Sequence, residues 1–308
     1  MLKIFVAFVF IFHISLHSQE SKPQISFTFD DPNLETTGKM TWMQKDDAIL
    51  ATLAKNNLKA ALFVSGKRID FPEGKVLLSK WNDAGHMICN HSYSHSYYHS
   101  KKQTLESYEK DFLRCDSIIN KYSGFTKLFR FPFLKEGDTP EKRDGFRKFM
   151  NEMGYKSGYA TIDASDWYID GRMVDTLKVN PDFDLTPFKE YYMAHIYNRA
   201  MLYDSLGMQL TGRHIKHTVL LHHNLINAMF LGELINFFKV KGWDIINASD
   251  AYTDEVFSLQ PDILPAGESI VWAMAKETGK FENMLRYPGE DGVYEEEAFN
   301  TYLKNYFK

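Results

Sequence analysis

The chain has 308 residues, of which 44% are hydrophobic and 25% are charged, and its formal net charge at pH 7 is −4. This composition is typical of a globular protein and excludes a largely disordered chain. The slightly acidic balance excludes the broad basic surface of a nucleic-acid-binding domain, so we expect no nucleic-acid partner.

The amino-terminal eighteen residues have the pattern of a secretory signal peptide. Lys3 gives a positive start, an apolar run covers residues 4–16, and polar residues begin at Gln19. The run is shorter than the ~20 residues of a membrane-spanning helix, so an uncleaved anchor is the less favoured alternative. No later segment reaches spanning length. We therefore predict a signal peptide over 1–18 and an exported protein, periplasmic or extracellular, with no stable membrane span.

A short apolar segment over 25–29 ends in two adjacent carboxylates, Asp30 and Asp31. It predicts a buried strand, and the carboxyl ends of such strands carry the chemistry of α/β proteins. Adjacent side chains point to different sides, so one carboxylate could bind a cation while the other accepts a proton. The alternative is that the pair caps the next helix or bonds its own loop.

Helical and strand patterns alternate through the rest of the chain. Apolar spacing predicts helices over 43–57, 75–84, 103–122, 141–153, 182–207, 225–240, 269–277 and 294–307. Apolar runs predict further strands over 60–64, 87–89, 128–133, 155–162, 218–223 and 243–246. The alternation predicts parallel strands joined by helices.

The strand over 87–89 leads into a histidine pair, His91 and His95. Histidines four residues apart can face one point, and neutral imidazole is a common zinc ligand, so the pair predicts a metal site. His99 is predicted to be a surface residue.

Cys89 and Cys115 could be joined by a disulfide in an exported protein. A buried free thiol fits Cys89 equally well, since it lies in an apolar strand.

The segments Thr28-Phe29-Asp30-Asp31 and His91-Ser-Tyr-Ser-His95 resemble the first two motifs of the polysaccharide deacetylase family, the NodB-homology or family 4 carbohydrate esterases. The resemblance implies that Asp30 is the catalytic base. It also implies that Asp31, His91 and His95 bind a divalent metal. Zinc is the expected ion, although Co²⁺, Ni²⁺ and Mn²⁺ can share such ligands.

The segment Arg130-Phe131-Pro132-Phe133 is similar to the third motif of the same family. The resemblance implies that Arg130 orients Asp30 and that the Phe133 backbone N–H binds the oxyanion, with Pro132 beside the substrate. A tyrosine often stands where Phe133 is, but a backbone donor does not depend on the ring hydroxyl. The alternative for Arg130 is a salt bridge at the end of a strand.

Residues 163–167 resemble the Asp-x-x-Asp-Trp motif of the family. This resemblance implies that Asp166 holds the catalytic histidine and that Trp167 lines the site.

The strand over 218–223 resembles the last motif of the family, which implies that His222 is the catalytic acid. The next residue is commonly Asp in the family and is His223 here. A register slip by one would instead make His223 the acid.

The resemblance implies a distorted parallel (β/α) barrel of the NodB type with roughly seven strands and a C-terminal helical extension. We predict a catalytic domain over 19–250 and an extension over 251–308. The implied function is metal-dependent hydrolysis of N- or O-acetyl groups on a polysaccharide or oligosaccharide, with metal-bound water as the nucleophile. The alternatives are a small-amide amidohydrolase of the same fold, a non-catalytic glycan-binding barrel and a metal-stabilised structural domain.

Overall fold

The computed structural model describes residues 22–287 and 291–307. The predicted signal peptide over 1–18 lies outside these ranges and stays a prediction. Within them, no helix combines the length and apolar character needed to cross a bilayer.

Strands and helices alternate along the described chain. The strands are β1 Gln24–Asp30, β2 Ala61–Val64, β3 Met87–Asn90, β4 Phe125–Phe129, β5 Lys135–Gly137, β6 Lys156–Ser157, β7 Lys216–His222, β8 Asp244–Ile245 and β9 Ala266–Gly267. The α-helices are α1 Trp42–Lys55, α2 Pro72–Asp83, α3 Leu105–Ile119, α4 Pro140–Glu152, α5 Asp166–Val179, α6 Thr186–Thr211, α7 Leu225–Val240, α8 Ala248–Ala251, α9 Ile270–Thr278 and α10 Gly292–Tyr306.

Seven of the strands form one parallel sheet in the order β6-β4-β3-β2-β1-β7, with β8 also paired to β1. The segment after β6 returns to β7 through a parallel bridge between Ile162 and Val219. The sheet therefore curls, with helices around it and a helical C-terminal region. The predicted fold class, a distorted parallel barrel of about seven strands, is confirmed.

The register of the sheet brings the ends of β1 and β7 together. Asp30 is the Cα partner of Phe63 on one side and of His222 on the other. Because all these strands run in the same direction, their carboxyl ends meet at one edge. Asp30 and His222, which are 192 positions apart in the chain, are therefore neighbours in the sheet.

The helix after the Asp pair has its own cap. The Thr41 side chain accepts a hydrogen bond from the Gln44 backbone N–H at 3.3 Å, and the Gln44 side chain accepts from the Thr41 N–H at 2.9 Å. This capping box satisfies the first turn of α1. Asp30 and Asp31 are therefore not needed as helix caps.

Several elements differ from the sequence predictions. Helix α2 begins at Pro72, three residues before the predicted start, because proline suits the first turn of a helix. Strand β4 ends at Phe129, so Arg130 follows the strand and does not lie within it. The strand predicted over 155–162 reduces to β6 and the bridge at Ile162. Cys89 and Cys115 are both buried free thiols.

The described part of the C-terminal segment packs on the barrel. Strand β9 pairs antiparallel with β5, which was not predicted, and α9 and α10 pack against α6. The predicted domain boundary between residues 250 and 251 stays a prediction. The β5–β9 pairing nevertheless brings residues beyond 251 to the carboxyl edge of the sheet.

Candidate active site

A cleft of about 460 Å³ lies at the carboxyl ends of the strands. Seven of the ten residues predicted for the site line it: Asp30, Asp31, His91, His95, Phe133, Trp167 and His222. The other three, Arg130, Pro132 and Asp166, are buried and do not line the cleft.

Asp31, His91 and His95 form a group with the donor set of a metal site. One ligand atom from each lies within 4.8 Å of the others, and His95 Nε2 is 3.2 Å from Asp31 Oδ2. The Nδ1 atom of His91 is 2.7 Å from the Arg130 carbonyl oxygen. A bond of this kind fixes the ring of a metal-binding histidine and leaves Nε2 for the ion. One carboxylate and two imidazoles fit a divalent cation such as zinc.

The charge states of this group also suit a cation. Burial lowers the pKa of His91 and His95 to about 4, so both rings are neutral at pH 7. Burial pulls the pKa of Asp31 upward, but His91, His95 and Arg68 outweigh it and lower that pKa to about 2. The group therefore offers two neutral imidazoles and an ionised carboxylate.

Arg130 holds Asp30 rigidly. Its Nη1 donates to Asp30 Oδ1 at 2.6 Å and to Thr28 Oγ1 at 2.9 Å, while Nε donates to the Gly158 carbonyl oxygen at 2.8 Å. Burial raises the pKa of Asp30 to about 6, although Arg130 opposes the rise. A carboxylate with a pKa just below neutral can both stay ionised at pH 7 and accept a proton.

Asp166 holds His222 on the other side of the cleft. Its Oδ1 is 2.7 Å from His222 Nδ1, and its Oδ2 accepts from the His222 backbone N–H at 2.8 Å. Asn224 and Asn227 also donate to Oδ2, at 3.0 and 2.7 Å. Burial lowers the pKa of His222, but Asp166 outweighs it and raises that pKa to about 9. His222 is therefore protonated at neutral pH.

The Asp166–His222 pair gives a pH prediction. In Asp166→Asn the imidazolium loses its carboxylate partner, so the pKa of His222 falls. We expect the alkaline limb of the kcat/KM profile for acetate release to move to lower pH, by at least about one pH unit. An unmoved alkaline limb with reduced kcat would show that another group sets it.

His223 points away from the cleft. Its ring is fully buried, Nε2 lies 3.2 Å from Asp46 Oδ1, and its ring centroid lies 6.3 Å from that of Trp81. Its backbone N–H donates to the Asp30 carbonyl oxygen at 3.0 Å. The structure thus places His222, and not His223, beside Asp166.

Backbone strain is concentrated at this site. Five of the seven non-glycine residues with positive φ among the described residues line the cleft: Asp31, His95, Phe133, Leu134 and Glu268, with φ between 55° and 68°. Such conformations persist where the surrounding structure holds them, and they cluster at functional sites.

The cleft also contains residues that the sequence analysis missed. Lys135 and Glu268 line it side by side, and Asn227 completes the hydrogen bonds of Asp166. A polar residue next to the third motif was a usable signal for Lys135. Glu268 lies in a segment with the pattern of a loop, and Asn227 lies in the apolar helix α7, so neither position indicates a role in the site.

The family model for polysaccharide deacetylases matches residues 17–158, which include the Asp pair, the His pair and Arg130. Asp166 and His222 lie beyond this match. The match, the fold and the cleft agree with one another, and over this segment the chain is similar to polysaccharide deacetylases.

A curated relative, a peptidoglycan-N-acetylglucosamine deacetylase from Bacillus cereus, is 27% identical over 171 residues. The alignment covers 53% of this chain and 60% of the relative, so the chain spans less than two thirds of that protein's length.

Two solved structures share the fold. The catalytic domain of a peptidoglycan N-acetylglucosamine deacetylase from Eubacterium rectale superposes with a TM-score of 0.51 at 17% identity, covering 74% of this chain and 89% of that one. A family 4 carbohydrate esterase pseudoenzyme from Bacillus anthracis gives 0.52 at 16% identity, covering 75% and 66%. Because a pseudoenzyme shares the fold, activity has to be argued from the side chains.

Proposed function

We propose that this protein is an exported, metal-dependent deacetylase that hydrolyses N- or O-acetyl groups on a polysaccharide or oligosaccharide. One observation carries the proposal. Asp30, which Arg130 holds, and His222, which Asp166 holds, lie at the ends of neighbouring strands. Beside them, Asp31, His91 and His95 have the donor atoms and the spacing of a metal site.

Asp31, His91 and His95 would hold the divalent ion, with zinc as the expected metal. Bound there, it would polarise the acetyl carbonyl and lower the pKa of water to about 7. The three side chains would not have to gain or lose a proton to bind the ion, because at pH 7 the imidazoles are already neutral and the carboxylate is already ionised.

The chain's own residues would then move the protons. Asp30 accepts a proton from the attacking water, whose oxygen forms a bond to the acetyl carbon. The backbone N–H of Phe133 donates to the carbonyl oxygen as negative charge develops on it. His222 gives its Nε2 proton to the leaving nitrogen or oxygen as that bond breaks, so acetate and a free amine or hydroxyl are released.

The rest of the cleft suits an acetylated sugar. Leu134 and Leu220 pack together at its wall and present an apolar surface, which suits the methyl group of an acetyl substituent. Phe133 and Trp167 line the cleft with 53% and 44% of their surface exposed. Exposed aromatic rings can pack on the apolar face of a sugar ring.

The proposal is tested by acetate release from a panel of acetylated glycans, with chelator and with zinc added back. We expect release from at least one glycan, its loss on chelation and its return with zinc, while the thermal melting curve still shows a folded protein after chelation. Glycan binding without release from any substrate would contradict catalysis. Unfolding on chelation would instead indicate a metal-stabilised structural domain.

A further inference from the structure

The C-terminal segment places a charged pair in the cleft. Lys135 lies at the start of β5 and Glu268 directly follows β9, and their side chains form an ion pair. Lys135 and Glu268 are each only 5% exposed, yet both line the cleft. The pair is therefore largely shielded from bulk water, and both residues border the space that would hold a substrate.

Backbone hydrogen bonds fix the position of this pair. Lys135 is the Cα partner of Gly267 in the antiparallel β5–β9 pairing, and the Glu268 N–H donates to the Leu134 carbonyl oxygen at 2.8 Å. Glu268 itself has a φ of 68°, which a glutamate adopts at a cost in energy. The fold holds this carboxylate at the cleft wall in spite of that cost.

A buried ion pair adds little net stability, since the cost of removing both charges from water offsets their attraction. Its hydrogen-bonding capacity is more informative. An ammonium group has three donors and a carboxylate accepts about four hydrogen bonds, so each retains capacity after the two have paired. Tyr287 lies beside them, 49% exposed, with its ring centroid 5.4 Å from Lys135 Nζ. Donors and acceptors next to an aromatic face match the hydroxyl groups and apolar face of a sugar ring.

We propose that Lys135 and Glu268 form a subsite that hydrogen-bonds hydroxyl groups of the acetylated glycan. The proposal rests on the proposed deacetylase function and extends it. Glu268 lies outside the segment that matches the family model, so this part of substrate choice belongs to the C-terminal segment of this chain.

The adjacent residue on β5 offers a matched control. Glu136 forms a buried pair with Arg147, with Nε to Oε1 at 2.9 Å and Nη2 to Oε2 at 3.1 Å. This pair does not line the 460 Å³ cleft. Glu136→Gln and Glu268→Gln thus make the same change in buried ion pairs on the same two-stranded sheet.

The experiment compares a pentamer of N-acetylglucosamine with 4-nitrophenyl acetate, an acetyl ester that carries no sugar. We expect Glu268→Gln and Lys135→Met to lower the ratio of kcat/KM for the pentamer to that for the ester by about 10- to 100-fold, as removal of a charged hydrogen bond does. The double variant removes both members of the ion pair together, and its ratio should fall to the same extent. Glu136→Gln should keep the wild-type ratio.

Pentamers that lack one hydroxyl identify the partner. For one such analogue the difference between wild type and Glu268→Gln should disappear, a result that a purely structural role of Glu268 would not produce. Equal losses of kcat/KM on the pentamer and the ester, which leave their ratio unchanged, would overturn the subsite proposal.

Calorimetric binding of the pentamer separates the two proposals. Binding without acetate release contradicts the deacetylase, while weaker binding by Glu268→Gln still supports the subsite and equal binding overturns it.

Discussion

Asp30→Asn is expected to lower kcat for acetate release by about 10²–10⁴-fold, which is the usual loss when a general base is removed. The asparagine oxygen can still accept the hydrogen bond from Arg130, so the side chain should stay in place. An amide cannot accept the proton of the attacking water at neutral pH. Because Asp30 is not among the three proposed ligands, zinc content should remain at the wild-type level.

Asp204→Asn is the matched control for this variant. Asp204 bonds His214 at 2.8 Å and His217 at 3.2 Å, near the opposite end of β7 from His222. It removes a mostly buried carboxylate without touching the cleft, so acetate release should stay near wild type. Near-normal turnover in Asp30→Asn, or loss of its zinc, would remove Asp30 from the role of base.

His91→Ala is expected to abolish both zinc binding and acetate release. The substitution removes one of three protein donors, and the remaining aspartate and histidine make a much weaker site. Zinc content after dialysis and acetate release should fall together. Excess zinc should restore little activity.

His99→Ala controls for loss of a histidine from the same loop. His99 Nε2 lies 2.9 Å from the Ala266 carbonyl oxygen, and His99 does not line the cleft. This variant should retain zinc and turnover. If His91→Ala kept full zinc occupancy, or if His99→Ala lost as much, the proposed ligand set would be wrong.

The parts of the site that could be predicted are those in which a polar residue interrupts an apolar run. Asp30 and His222 each end a buried strand, and parallel strands bring their carboxyl ends to one edge whatever their separation in the chain. The alternation of strands and helices predicted parallel strands joined by helices, and the family resemblance implied that they form a barrel. Arg130 was recognisable through its tetrapeptide, although the strand before it ends one residue earlier.

The remaining parts depend on contacts that leave no periodic signal. Strand β9 has two residues and β5 has three, too few to show an alternating pattern, so the position of Glu268 in the cleft was not predictable. Asn227 lies in the apolar helix α7 and is recognisable as a partner of Asp166 only once β7 and α5 are packed together. His223 is a further case, since its burial against Asp46 follows from how α1 packs behind the sheet.

Anomalous diffraction at the zinc edge, from crystals grown with zinc, tests the proposed metal site most directly. We predict one strong peak within bonding distance of the side chains of Asp31, His91 and His95, with Asp30 and His222 on either side of it. If crystals grown in excess zinc show no peak among these three side chains, or show the peak at other residues, the proposed metal site is wrong.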